Sequence, residues 1–100
     1  MNPSNGKGLL DGLLVIEFGH VMAGPICGRM LADMGADVIK VEHIDGGDAT
    51  RQFIPPDLDG ESAAFLMLNR NKRGISLDLK SVEGLAIAQK LLKSADVLIE

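Results

Sequence analysis

Short apolar runs of strand length alternate with longer amphipathic stretches along this 100-residue chain, the pattern of a sheet whose strands are joined by helices. Leu13 to Phe18 is apolar except for Glu17 and reads as a first strand. The loop from Gly19 to Gly24 follows, and Gly24-Pro25 marks a helix start, because proline at the first helical position gives up an N–H that has no intrahelical partner there. The helix is predicted to run to about Met34. Cys27, Met30, Leu31 and Met34 recur at helical spacing, so this stripe is expected to lie against the sheet, with Cys27 a buried, inert thiol. Gly35 is placed to cap the helix, and Val38, Ile39 and Val41 supply a second strand ending near Glu42.

Ile44 to Glu61 is rich in glycine, proline and acids and predicts a long irregular loop. Ser62 to Leu68 suits a short helix capped by Ser62 or an apolar strand; the helix is taken here. Gly74 to Leu79 alternates Ile75, Leu77 and Leu79 with polar residues, the period of a strand with one buried face. Ser81 then caps a helix with Glu83 in its first turn, Lys90 and Lys93 toward its end, and Leu85, Ala88 and Leu92 as the apolar stripe. Gly84 weakens that helix by about 1 kcal/mol relative to alanine. Ala95 to Glu100 reads as a further parallel strand with no loop or helix after it, so the chain is expected to be the N-terminal portion of a longer fold. Without that remainder, Leu91, Leu92, Val97 and Ile99 are expected to be poorly covered, favouring association or partial unfolding.

The composition narrows the function. With 46% hydrophobic and 24% charged residues the chain is globular, and its length allows one domain at most. A net charge of −4 and only three aromatic residues, all Phe, argue against nucleic-acid partners. No apolar run has the length of a membrane span or the form of a signal peptide, which predicts a cytoplasmic protein without membrane contact. One cysteine and two histidines leave neither a disulfide nor a metal site to build.

Ligands of open α/β sheets bind beyond the carboxyl ends of the strands, which directs attention to the loop after the first strand and to His20 within it. N-R-N-K-R, from Asn69 to Arg73, places three positive charges within five residues of an acidic chain. It reads either as a grip on an anionic ligand or as a solvated turn. Asp45 with Asp48, and Asp57 with Asp59, are read as solvated loop acids. Gly19, Gly24 and Glu42 are in the order of a dinucleotide fingerprint, with Glu42 as the ribose ligand, but no G-x-G-x-x-G is present.

Three blocks in order, G-H-V-M-A-G-P at Gly19–Pro25, L-A-D-M-G-A-D-V-I-K-V-E at Leu31–Glu42 and N-K-R-G-I-S-L-D-L-K at Asn71–Lys80, resemble the class III CoA-transferase family, which also includes α-methylacyl-CoA racemases. The resemblance implies an α/β fold: a Rossmann-like parallel sheet with flanking helices, here the incomplete N-terminal part of a larger fold, with residues 1–100 as its CoA-binding segment. It implies CoA or acyl-CoA as substrate, with no tightly bound cofactor, a carboxylic acid as acceptor, and an interlocked homodimer at full length. CoA contacts map onto Met22, Ala23, His43, Leu77, Asp78, Leu79 and Lys80, with His20 flanking the thioester and Lys72 and Arg73 near the phosphates. At His43 several relatives carry arginine; histidine is largely neutral near pH 7. Transfer in the family passes through an aspartyl carboxylate. Its counterpart would lie beyond Glu100, so no residue here is assigned as catalytic and the isolated chain is expected not to turn over. Histidine in the first loop favours transferase over racemase. A dehydrogenase and a non-catalytic binding module are the remaining alternatives.

Overall fold

Residues 8–100 are described by a computed structural model. Strand β1 (Leu14–Glu17) leads through helix α1 (Ala23–Asp33) to β2 (Asp37–His43), and β5 (Arg73–Leu77) leads through α3 (Val82–Ser94) to β6 (Val97–Ile99). Between β2 and β5 lie a 3₁₀ turn (Ala49–Gln52), a two-strand hairpin of β3 (Asp57–Leu58) and β4 (Glu61–Ser62), and the short helix α2 (Ala63–Leu68). The four longer strands form one parallel sheet in the order β5-β2-β1-β6. The strand order reverses between β1 and β6, the arrangement of a doubly wound sheet, in which ligands bind beyond the carboxyl ends of the strands. The α/β expectation holds. The loop expected over 44–61 is more ordered than its composition predicts, because Asp48 accepts from Thr50 N and Ser62 Oγ donates to Phe53 O.

Period-two alternation gives the sheet two faces. Val15 and Val38 pack with Ala32 and Ala36 on the α1 side, while Ile16, Val41 and Leu77 pack with Ala88 on the α3 side. The residues that the helices turn inward match the expected stripes only at Leu31 of α1, which packs against the core, and Ala88 of α3, which is buried. Pro25, Gly28 and Ala32 are the buried positions of α1, whereas Cys27, Met30 and Met34 are exposed. The sheet beneath α1 carries charged side chains, and only small helix residues let the backbone approach over them. In α3 the buried positions are Gly84 and Ala88, and Leu85 and Leu92 are exposed. A Cβ on Gly84 would overlap the Asp78 carbonyl, so the residue that weakens the helix is the one that lets it dock. Leu98 of the edge strand β6 is 53% exposed.

The caps follow the predicted chemistry. Ser81 Oγ accepts from Gly84 N at 2.9 Å, and Ser62 Oγ from Phe65 N at 3.2 Å. Gly35, at φ 109°, closes α1 with two bonds, Gly35 N to Ala32 O and Ala36 N to Leu31 O, a Schellman ending. No helix among the described residues is long and apolar enough to cross a membrane.

Candidate functional site

Two adjoining cavities open at the carboxyl ends of β1, β2 and β5. One, of about 150 Å³, is lined by Phe18, His20, Val41, Glu42, His43, Leu77 and Leu79. The other, of about 240 Å³, is bordered by His43, Ile44, Asp45 and Leu77 to Lys80. They share His43, Leu77 and Leu79, so His20 and Lys80 stand along one crevice. Strand alternation explains the convergence, since Val41, His43 and Leu77 all project from the α3 face of the sheet. The His20 and His43 rings stack, with centroids 5.4 Å apart and planes 8° from parallel. A larger cavity of about 540 Å³ lies at the opposite, amino ends of the strands. It is walled by the flank of α3, and its Arg73 and Asp37 are paired to each other, so it offers a ligand no free charge of that pair.

The loop between β1 and α1 is pinched at its neck. A Cβ on Gly19 would come within 3.1 Å of the Gly24 Cα, which accounts for both glycines without a bound pyrophosphate. Inside the pinch, Val21 has φ 64°. A left-handed conformation costs a β-branched residue on the order of 1–2 kcal/mol, so the surroundings must hold it. The hold is Asp48, whose Oδ1 accepts from Val21 N at 3.1 Å. Met22 is exposed, and it and Ala23 form the entry to α1, whose N-terminus carries no side-chain cap.

Asp48 belongs to a buried ionic network on the α1 face that the sequence reading missed. Lys40 Nζ donates to Glu17 Oε2 at 2.9 Å and to Gly19 O at 3.0 Å, and lies 2.8 Å from Asp48 Oδ2. Glu17 and Asp48 are fully buried, and Lys40 is 2% exposed. Glu17 Oε1 lies 2.7 Å from Lys72 Nζ without an aligned hydrogen bond, and that ammonium also donates to Pro25 O and Asn69 Oδ1. Burial lowers the Lys72 pKa, and Glu17 opposes that fall. Glu42 is gripped by Arg51 through two 2.8 Å bonds and accepts from Asp48 N at 2.7 Å. The Arg51 bond is the largest of the causes that lower the Glu42 pKa. The carboxylate a dehydrogenase would turn to ribose is therefore occupied.

Asp48 is consequently not the solvated loop acid expected from sequence. Burial pushes its pKa up, but the bonds from Lys40, Thr50 and Val21 outweigh burial and hold the group at about 2, below its ordinary 3.8. A carboxylate depressed on folding stabilises the fold fully above its unfolded pKa, and that stabilisation is lost as pH falls through the folded value. Between pH 4 and 2 the protein is expected to lose on the order of 2 kcal/mol from this group. Asp48→Asn, starting from lower stability, should show a correspondingly shallower acid limb in urea unfolding. Equal limbs in the two proteins would contradict the assignment.

The basic cluster is split up. Arg70 pairs with Asp33 at 2.8 Å, Arg73 with Asp37 at 2.6 Å, and Lys72 lies inside the network. Arg73 starts β5, so it stands at the end of the sheet opposite the crevice; with Lys72 it borders a separate cavity of about 170 Å³. The structure therefore brings His20, His43, Leu77, Asp78, Leu79 and Lys80 together and leaves Lys72 and Arg73 apart from them. Among the described residues no cluster of His, Cys, Asp and Glu could hold a metal.

Comparison with known proteins places this geometry. Residues 10–100 match the family model of CoA-transferase family III. A succinate–glutarate CoA-transferase of Agrobacterium fabrum is 54% identical over 102 residues, covering 96% of this chain and 26% of that protein. A formyl-CoA:oxalate CoA-transferase of Rhodopseudomonas palustris is 46% identical over 91 residues, covering 91% of this chain and 21% of that protein. Among solved structures, a CAIB/BAIF family protein from Brucella suis superposes with a TM-score of 0.86 at 44% identity, over 92% of this chain and 25% of that one. The chain spans about a quarter of the length of these relatives. With one family's pattern running from residue 10 to residue 100 and the fold shared at this identity, the chain belongs to CoA-transferase family III.

Proposed function

We propose that residues 1–100 form the CoA-binding front portion of an enzyme that moves CoA from an acyl-CoA to a carboxylic acid. The observation that carries this reading is the continuous crevice beyond β1, β2 and β5, in which His20, His43 and Leu77 to Lys80 converge within a chain of this family. The apolar walls from Phe18, Val41, Leu77 and Leu79 suit the uncharged part of the carrier, and Lys80 at the rim suits a phosphate. The uncapped start of α1, beside Met22 and Ala23, adds a positive pole for the pyrophosphate. His43 supplies a flat surface and hydrogen-bonding nitrogens where an arginine would supply a fixed charge.

In the reaction proposed, a carboxylate from elsewhere in the protein attacks the thioester carbonyl and expels CoA thiolate, leaving a mixed anhydride. The thiolate then attacks the enzyme's side of the anhydride, freeing the first acid and leaving CoA on the enzyme for transfer to the acceptor. This segment's part is to hold CoA through both steps, so alone it does not turn over. The working protein is read as a cytoplasmic, interlocked homodimer.

Calorimetry on the full-length protein with CoA, dephospho-CoA and NADH tests the reading. Binding of CoA without NADH is expected, and the reverse would overturn it. Lys80→Ala should weaken CoA by roughly 5–10-fold, the scale of one charge-assisted hydrogen bond at a wet surface, and weaken dephospho-CoA less. Arg73→Ala should leave both unchanged, because that guanidinium is at the other end of the sheet. Equal losses for both ligands in Lys80→Ala would reject phosphate recognition by Lys80.

A further inference from the structure

The peptide groups on either side of His20 are held by the two members of one buried ion pair. On one side, Gly19 O accepts from Lys40 Nζ at 3.0 Å; on the other, Val21 N donates to Asp48 Oδ1 at 3.1 Å. Lys40 and Asp48 lie 2.8 Å apart, and each is fixed independently of the loop. Lys40 is anchored by Glu17 Oε2, and Asp48 by Thr50 N and Thr50 Oγ1, both at 2.9 Å. The charges belong to β2 and the segment after it, whereas the loop they grip follows β1. Val21 takes its left-handed φ of 64° at this point, and the His20 ring emerges from the clamped turn stacked on His43.

We propose that the Lys40–Asp48 pair is a positioning device for the crevice: by clamping the peptides before and after His20 it fixes the direction of the imidazole and the width between His20 and His43. Neither Lys40 nor Asp48 touches the ligand in this arrangement; both act through the loop. The ligand half of the inference rests on reading the crevice as a CoA site, whereas the clamp itself does not.

The test uses the full-length protein, with Asp48→Asn as the principal variant, since asparagine keeps the volume and an acceptor for Val21 N while removing the charge. Hydrogen exchange followed by mass spectrometry on the Phe18–Ala23 segment reads the clamp. Exchange there should accelerate by about 5–10-fold beyond any change in the α3 segment, the difference between a charged and a neutral acceptor. A second arm measures CoA affinity in His20→Ala, Asp48→Asn and the double variant. If Asp48 acts through His20, the double variant should bind CoA no more weakly than His20→Ala alone. Unaltered loop exchange in Asp48→Asn would overturn the clamp, and full additivity of the two losses would overturn its action through His20. CoA affinity unmoved by His20→Ala would overturn the link to the ligand, with the exchange arm still deciding the clamp. If Asp48→Asn does not fold, Thr50→Val loosens the same carboxylate and is read by the same exchange.

Discussion

Lys40→Met is expected to destabilise the full-length protein by about 3–5 kcal/mol, the cost of removing one partner from a buried charge network. The lysine ammonium has three donors, and Glu17, Asp48 and the Gly19 carbonyl give it three acceptors within 3.0 Å. Methionine fills a similar volume and satisfies none of them. Glu17 keeps Lys72, and Asp48 keeps the Thr50 and Val21 bonds, so both carboxylates stay partly compensated and the fold survives. The comparison is Arg73→Met, which breaks the Arg73–Asp37 pair. That pair is shorter, at 2.6 Å, but its side chains are 66% and 49% exposed. Water screens it, so its loss should cost less than about 1 kcal/mol. Urea midpoints at unchanged slope measure both, and a Lys40→Met effect no larger than that of Arg73→Met would show that the network adds nothing to stability.

Much of the fold was legible because the relevant signals are local. Each of β1, β2, β5 and β6 announces itself as an apolar run or alternation, Gly35 and Ser81 end and begin helices by chemistry that acts within a turn, and the glycines of the first loop mark its bend. Which side of a helix faces inward was legible only in part, at Leu31 and Ala88. Cys27, Met30 and Met34 are apolar at the right spacing, yet α1 buries Pro25, Gly28 and Ala32, because the partner surface carries Glu17 and Lys40 and sets the required distance. The network had left a trace in the sequence: Glu17 and Lys40 are the charges interrupting two apolar strands, and register makes them direct neighbours across the sheet. Parallel pairing was expected from the sequence, but without the register each charge reads alone. The crevice was found through the strand ends, but the cationic run at Asn69–Arg73 points elsewhere. Adjacent strand residues face opposite sides of a sheet, and Lys72 and Arg73 enter β5 at its far end.

The same network decides a second substitution whose sign ordinary helix propensity gets wrong. Gly28 lies inside α1, where replacing glycine by alanine usually gains roughly 0.5–1 kcal/mol. A Cβ there would overlap Glu17 Oε1 and lie 3.2 Å from both Glu17 Cδ and Lys72 Cε. The Glu17 carboxylate cannot swing aside without leaving Lys40 or Lys72, so the strain falls on the helix-to-sheet distance. Overpacking of this kind costs about 1–3 kcal/mol, and since the propensity gain is already the smaller quantity, Gly28→Ala should be net destabilising. Cys27→Ala, one position earlier and exposed, should change stability by less than about 0.5 kcal/mol. If the clash is with the carboxylate itself, Glu17→Gln should not rescue Gly28→Ala, because the amide has the same shape, whereas Glu17→Ala should make the added methyl harmless relative to that background. A Gly28→Ala protein that melts at or above the parent would mean that α1 can rise off the sheet freely, and the small-residue face would then need another explanation.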